Sequence, residues 1–512
     1  MKFVNSLILG SAAALMAVGG AQAADLPVKA KAVEYVKVCS LYGPGFYYIP
    51  GTDTCIKLGG YLRADVVVNG NSVYGPNYNG AGGANNRFTN GYVWRSREDF
   101  NIDTRTATEY GVVRTYFDAV FTWTSDSYGP GATAGSTVYA PIGTSSAPGN
   151  ASGGNVAGGA VGVYYAFIQF AGFTMGKSVS QFAAPWNGYP GNNFDALVGG
   201  VNTTTGVNQF SYTAQFGNGS TLTLSAQDQT LYSQAGTNNL AAGGAYGASD
   251  LAGTIAPDLI ASFKVEQAWG LFQASVAAHD NHAAYYGATE VTGHPDDKWG
   301  WAGALALSIK NIPTGAGDTI NVQGVYTDGA TRYNIQDLAS QASSIAIYSG
   351  SNLPGAYGSV GFGTAPDTVF IAGGQQQTIK TWGFRGAYTH NWNPYWNTSL
   401  YGAYAAIMYN DTSKSYICGV GGVGGTFRTA FAGGAGVTSC NPDYNISQLG
   451  VVTRWTPVKN LTFSGEVTYT HLDQKYAGTI TTAAASVGKP TAVYELKDQD
   501  TVMLLLRAQR NW

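Results

Sequence analysis

The sequence predicts an all-β protein, a transmembrane antiparallel β-barrel of about sixteen strands, from three observations. From residue 56 to residue 512, segments of about ten residues alternate apolar and polar side chains. Short turns and long loops rich in Gly, Ser and Asn alternate between these segments. Only 11% of the residues are charged, against about 25% in an ordinary soluble domain. Alternation at period two puts successive side chains on opposite faces of a strand, so one face suits lipid and the other suits water.

The first residues predict an export signal. Lys2 supplies a positive start, residues 7–18 are mostly apolar, and Ala21-Gln22-Ala23 forms a small-residue cleavage motif. An N-terminal membrane anchor is disfavoured because this stretch falls short of the ~20 apolar residues that a spanning helix needs. We expect residues 1–23 to be a signal peptide, residues 24–55 a periplasmic lead-in and residues 56–512 one barrel.

The four cysteines form two local pairs along the chain. Cys39 is close in sequence to Cys55, and Cys418 is close to Cys440. An exported chain meets an oxidising compartment, so each pair predicts a disulfide that stabilises its loop by roughly 3 kcal/mol. A four-cysteine metal site would need closer spacings that are absent here. We therefore expect no metal and no cofactor.

The alternation defines the strands in order. In strand 56–69, Leu62 and Val66 share one face while Arg63 and Asp65 share the other. Strand 90–103 collects its arginines and aspartates on one face, and strand 110–124 sends Phe117 outward. The remaining predicted strands are 163–171, 172–181, 208–216, 220–230, 257–268, 271–284, 298–310, 319–327, 379–392, 396–410, 445–456, 461–475 and 500–512.

The lengths of the connections are the second sign of a barrel. Short turns are expected at 104–109, 217–219, 269–270, 312–318, 393–395 and 457–460, with long loops at 125–162, 231–256, 328–378, 411–444 and 476–499. Short turns at one rim and long loops at the other are typical of outer-membrane barrels. The last segment ends on Trp512, as expected of a strand that closes such a barrel.

Both ends of the barrel region resemble a known family. EYVKVC at 34–39, YIPGTDTC at 48–55 and IKLGGYLRAD at 56–65 are similar to the opening of alphaproteobacterial general porins, the porin-2 family. The turn after the second strand and the ending RAQRNW at 507–512 are similar too. The resemblance implies a sixteen-stranded barrel, trimers in the outer membrane and diffusion of small hydrophilic solutes. The chain departs from the family in its terminal Trp, where Phe is usual, and in its long Gly-rich loops.

The resemblance also implies where the pore is narrowest. In such porins the loop after strand five folds into the lumen, which corresponds here to 182–207 with Asp195. Arginines on three neighbouring strands would face it as a basic wall, and rings of charge select ions. These arginines are Arg63, Arg95, Arg97 and Arg114. The other expected pore-lining residues are Asp65, Asp118, Arg385, Arg454 and Arg507.

These features favour a passive diffusion channel with outer-membrane lipids, small solutes and ions as partners. The net charge of −3 gives no reason to expect nucleic acid. A substrate-specific channel for sugars or another nutrient is the nearest alternative, and it would need a run of aromatic side chains along the lumen. Tyr61 and Tyr116 are too few to predict one. An outer-membrane enzyme would need a catalytic constellation that the sequence lacks, and a secreted adhesive protein would be soluble without detergent.

Overall fold

A computed structural model describes residues 37–70, 91–124, 128–130, 139–141, 160–186, 190–201, 205–230, 232–242, 245–336, 345–420, 425–431, 435–481 and 491–512. The chain divides into two units, Met1–Ile56 and Lys57–Trp512. The predicted signal peptide, residues 1–23, lies outside the described residues.

The smaller unit is held together by a disulfide. A 3-10 helix at Ser40–Tyr42 is followed by the two-residue strand Tyr47–Tyr48, in which Tyr48 lies opposite Cys55. Cys39 and Cys55 are bonded, with their Cα atoms 6.1 Å apart. Phe46 packs against this cystine and is 4% exposed. The disulfide and one aromatic ring thus form the core of the described part of this unit.

The larger unit is a closed β-barrel of sixteen strands. In chain order the strands are β1 (Thr54–Val68), β2 (Tyr92–Thr108), β3 (Gly111–Thr124), β4 (Ala160–Phe170), β5 (Phe173–Ser178), β6 (Val207–Gly217), β7 (Ser220–Gln227), β8 (Asp258–Gln267), β9 (Gly270–Asn281), β10 (Lys298–Lys310), β11 (Thr319–Asp328), β12 (Lys380–Asn393), β13 (Trp396–Met408), β14 (Tyr444–Val458), β15 (Leu461–Gln474) and β16 (Gln499–Asn511). Each strand pairs with the next, and β16 pairs with β1 from Tyr61↔Asn511 to Val68↔Leu504. The predicted fold class and all sixteen predicted strands are confirmed.

The turn after β2 is shorter than predicted. The expected turn at 104–109 is wrong, because β2 and β3 stay paired from Thr104↔Thr115 to Thr108↔Gly111 and only residues 109–110 form the turn. The sequence TRTAT has almost no apolar side chain, so the alternation disappears although the backbone pairing continues. The ladder of hydrogen bonds therefore extends beyond the apolar part of the strands.

Two other turns show why the short connections are so compact. Ala171 and Gly172 have φ angles of 49° and 87°, and Asn218 and Gly219 have φ angles of 49° and 74°. Two consecutive positive φ angles match the twist of a two-residue hairpin turn, and Asn-Gly is the sequence that favours them most.

The two faces of the barrel wall differ as the alternation predicted. Leu62, Phe117 and Leu504 are 58%, 38% and 36% exposed on the outer face. Arg63 and Asp65 lie on the inner face. In a closed ring each strand is hydrogen-bonded to a neighbour on both sides. Backbone N–H and C=O groups in the hydrocarbon core of a membrane need such partners within the protein, because no water is available there.

The long loops carry more regular structure than the sequence predicted. One sheet joins Ile345–Ser349, Gly358–Gly363, Val493–Leu496, Ala477–Thr481 and Val437–Ser439, and a second joins Ala248–Ser249, Thr237–Asn239, Thr368–Phe370 and Gln377–Thr378. Tyr128–Pro130 pairs with Tyr139–Pro141. The loops also contain helices α1 (Asp411–Cys418) and α2 (Thr426–Ala430) and 3-10 helices at Leu240–Ala242 and Thr331–Tyr333. Among the described residues, no helix is long and apolar enough to cross a membrane.

These loops pack around their own aromatic core. The ring of Phe427 stacks on Tyr476 with centroids 4.0 Å apart and an interplanar angle of 8°. Phe362 makes an edge contact with Phe427 at 5.8 Å. The predicted disulfide between Cys418 and Cys440 closes the loop that carries both helices, with a Cα–Cα distance of 5.6 Å. The loops therefore form a folded layer at the end of the barrel opposite the short turns.

Candidate functional site

The loop after β5 is fixed to the inner face of the barrel wall. Asn321 Nδ2 donates to the carbonyl oxygen of Pro190 over 3.0 Å. Gln448 holds two backbone groups of the loop: its Oε1 accepts from Val198 N at 2.9 Å, and its Nε2 donates to the Ala196 oxygen at 3.0 Å. These wall residues belong to β11 and β14, so the loop lies against one side of the lumen.

Arg385 on β12 is an anchor for this loop. Its side chain is 1% exposed, which corrects the expectation that it lines the pore. Its guanidinium donates to the carbonyl oxygens of Leu197, Gly200 and Val201 over 3.4, 3.3 and 2.5 Å, and to Gln323 Oε1 over 3.0 Å. A buried guanidinium needs acceptors around it, and the loop backbone supplies them.

Two further arginines reach the loop from β14 and β16. Arg454 Nη2 donates to the Gly191 oxygen over 2.7 Å, and Arg507 Nη2 donates to the Asn193 oxygen over 3.2 Å. Both therefore project inward, as the alternation predicted, and both also hold the loop.

Asp195 meets the basic wall through Arg95. Arg95 Nη1 lies 3.0 Å from Asp195 Oδ2, and Arg95 Nη2 lies 2.8 Å from Asp65 Oδ2. Arg507 Nε lies 2.7 Å from the other oxygen of Asp65. Asp65 is 1% and Arg95 3% exposed, whereas the Asp195 side chain is 38% exposed. The two arginines and two aspartates form an alternating, neutral chain of charges that ends at Asp195.

Arg63 and Arg97 lie on the same wall without such compensation. Arg63 Nε donates to Gln509 Oε1 over 2.9 Å, and its guanidinium lies 4.4 Å from the centre of the Tyr61 ring. Arg97 Nε donates to Thr122 Oγ1 over 3.0 Å. In the described parts of the chain, neither arginine forms an ion pair. The carboxylate of Asp99 lies near both arginines but forms an ion pair with neither.

Arg114 is not part of this group, although the sequence placed it there. It lies opposite Arg105, ten residues along β2 from Arg95, which corresponds to about 34 Å. Its guanidinium is 3.0 Å from Asp103 Oδ2. Asp118 lies four residues further along β3 and is 6% exposed. Arg114 therefore lies near the short-turn rim, and the expected four-arginine cluster reduces to three.

Several residues that the sequence did not identify as part of the site also position the loop. Asn193 donates its backbone N–H to both oxygens of Glu466, at 3.1 and 2.9 Å, and its Nδ2 to Ser464 Oγ at 3.0 Å. Glu466 is 1% exposed and accepts a second bond from Tyr401 OH at 2.7 Å. The sequence does not reveal the partner of a single glutamate or glutamine on the inner face. Here that partner is a backbone group more than two hundred residues away along the chain.

Comparisons with known proteins agree on the architecture. Porin Omp2b of Brucella suis biovar 1 and Porin Omp2b of Brucella melitensis biotype 1 are each 32% identical to the chain over 284 residues, which is 54% of this chain and 66% of the relative. The chain therefore matches just under two thirds of the length of these curated relatives. The outer membrane channel DcaP of Acinetobacter baumannii shares the fold, with a TM-score of 0.53, 15% identity and coverage of 91% of this chain and 99% of that one.

A family model described as Porin subfamily matches residues 25–505, nearly the whole chain. The closed barrel, its apolar outer face and this match fit the outer membrane of a Gram-negative cell. The chain belongs to the Porin subfamily.

Proposed function

We propose that the protein is an outer-membrane channel through which small hydrophilic solutes and ions diffuse passively. The observation that supports this most is the closed ring of sixteen strands, which is apolar outside and charged inside. Sixteen strands enclose more space than their own side chains fill, so water remains in the lumen. No chemistry is required of such a channel, since solutes move down their gradients.

The loop and the wall facing it form the constriction of this channel. Asp195 lies on the loop, and Arg63, Arg95 and Arg97 lie on β1 and β2. The charges of Arg507, Asp65, Arg95 and Asp195 cancel in the chain of ion pairs described above. Arg63 and Arg97 form no ion pair among the described residues, and their positive charge favours anions over cations at the narrowest point.

Single-channel recording in a planar bilayer tests both proposals. Defined current steps with linear current–concentration behaviour for KCl are expected, and a reversal potential in a KCl gradient should report chloride preference. The double substitution Arg63→Ser with Arg97→Ser should reduce that preference. Arg510→Ser is the matched control, because Arg510 lies opposite the outward Leu62 on the lipid side of β16. The absence of current steps from folded protein would refute the channel, and equal selectivity in all three proteins would refute the filter.

We also propose that three copies assemble in the membrane, as the family resemblance implies. Crosslinking of the protein in native outer membranes should give a species of three chains. A single-chain species under conditions that crosslink a known trimer would contradict this assembly.

A further inference from the structure

We propose that the inner face of β3 and β4 carries a recognition track for neutral saccharides, formed by the aromatic rings of Tyr116, Tyr164, Tyr165 and Phe167. This inference rests on the proposed channel function and assigns a class of solute to one wall of it. The track begins beside Arg97 and runs along β4 toward the short-turn rim.

A β-bulge creates the track. Asp118 pairs with Tyr165 while its neighbour Ala119 pairs with Val163, so Tyr164 is an extra residue in β4. A bulge of this kind places two residues opposite one and changes the alternation. As a result Tyr164 and Tyr165, although consecutive, both project to the inner side, while Val163 remains 39% exposed on the outer side.

Three of the four rings, those of Tyr116, Tyr165 and Phe167, form a continuous series. Tyr116 and Phe167 are stacked with centroids 5.4 Å apart and an interplanar angle of 29°, and Tyr116 lies 6.2 Å from Tyr165. The Arg97 guanidinium lies 5.8 Å from the Tyr164 ring and links the series to the constriction. Side chains two residues apart on one strand recur about every 6.8 Å, so the rings follow the direction of solute movement.

Hydrogen-bond acceptors lie beside the rings. Asp118 is 6% exposed, and among the described residues its Oδ1 atom has no hydrogen-bond donor. Its other oxygen accepts a long bond of 3.5 Å from Tyr116 OH. The neighbouring carboxyl group is that of Asp99, which shares a hydrogen bond with the Asp118 carboxyl group. A buried acceptor without a donor is costly, and a solute hydroxyl would satisfy it.

The charges around the track favour a neutral solute. Arg97 lies at one end, and at the other end the Arg114 guanidinium lies 5.1 Å from the Tyr116 ring and 5.5 Å from the Phe167 ring. These groups oppose a cation, while Asp99 and Asp118 oppose an anion. A pyranose sugar is neutral, so neither the arginines nor the aspartates repel it. Its hydroxyl groups can donate hydrogen bonds to the carboxylates, and its C–H face can pack on the negative face of an aromatic ring.

Maltotriose, a neutral glucose trisaccharide, is the probe for the test. Added to the native channel in a planar bilayer, it should interrupt the ion current with a frequency that saturates as its concentration rises. Tyr165→Ala and Tyr116→Ala should each weaken the apparent affinity about two- to tenfold. Phe117→Ala is the matched control, because it removes an adjacent ring from the lipid face. Benzoate is applied in parallel as a planar anion.

The outcomes separate this inference from the channel itself. Ion current without saturable interruption by maltotriose would overturn the track and leave the channel standing, whereas absence of ion current would refute the channel. Equal affinity in Tyr165→Ala, Tyr116→Ala and Phe117→Ala would also overturn the track. Interruption by benzoate but not by maltotriose would overturn the assignment to neutral saccharides. If one tyrosine variant does not fold, the other variant still tests the role of the rings. The dependence of current interruption on maltotriose concentration in the native protein tests the track without any variant.

Discussion

Replacing Arg385 by Ala should release the lumen loop from the wall. Arg385 is buried, and its guanidinium donates to three carbonyl oxygens of the loop, those of Leu197, Gly200 and Val201. A hydrogen bond to a charged group contributes about 1.5–3 kcal/mol. At the lower value, three such bonds amount to about 4.5 kcal/mol, which raises the ratio of detached to attached loop about a thousandfold.

Single-channel recording measures this release directly. The Arg385→Ala channel should fluctuate between the native current step and larger steps, because a detached loop no longer narrows the lumen. The remaining contacts, such as the two bonds from Gln448, should keep the loop attached for part of the time. Arg510→Ala, which removes the same charge from the lipid face, is the control. A folded Arg385→Ala channel with the step size and noise of the native protein would refute the anchoring role.

Three other changes follow from the same structure. Asp195→Asn removes the exposed carboxylate and should raise the chloride-to-potassium permeability ratio about fivefold, since a unit charge at 4 Å in water is worth about 1 kcal/mol. A reversal potential that stays constant or moves toward cations would contradict this. Phe117→Arg should lower the free energy of unfolding in lipid vesicles by about 2–4 kcal/mol. Tyr110→Arg, in the turn at the rim, should lower it by only about 0–1 kcal/mol. Equal free energies of unfolding of the two variants in urea titrations would contradict the assignment of Phe117 to the lipid face. Replacing Cys418 and Cys440 by Ser should destabilise their loop by roughly 3 kcal/mol and speed its cleavage by trypsin, and unchanged cleavage would argue against it.

The strands were predictable because each carries its own signal. A wall between lipid and water forces period-two alternation on every strand, and β10 and β8 appear within one residue of their predicted bounds. The end of β2 was missed because TRTAT lacks apolar residues, although its backbone remains paired. Hydrogen bonding between backbones does not depend on the polarity of the side chains, so a sequence pattern underestimates strands at the rim.

The site was predictable only in part. Alternation placed Asp65, Arg95 and Arg507 on the inner face, and the family resemblance placed Asp195 on the loop. Neither the alternation nor the resemblance could show that Arg385 holds the loop. Its acceptors are backbone carbonyl groups, which every residue carries whatever its side chain. The bulge at Tyr164 does leave a sign, since two adjacent tyrosines interrupt the alternation of β4.

The sheet built by the long loops has an immunological consequence. Gly358–Gly363 runs parallel to Val493–Leu496, so neighbouring backbones at the cell surface come from positions more than a hundred residues apart. Gly358–Gly363 itself is buried, but the preceding Tyr357 is 63% exposed and donates its backbone N–H to the oxygen of Val493, which is 37% exposed. Antibodies raised against the folded protein would therefore recognise a surface composed of residues from both loops. Synthetic peptides copied from either loop would then compete poorly for those antibodies, because neither peptide alone reproduces the paired strands.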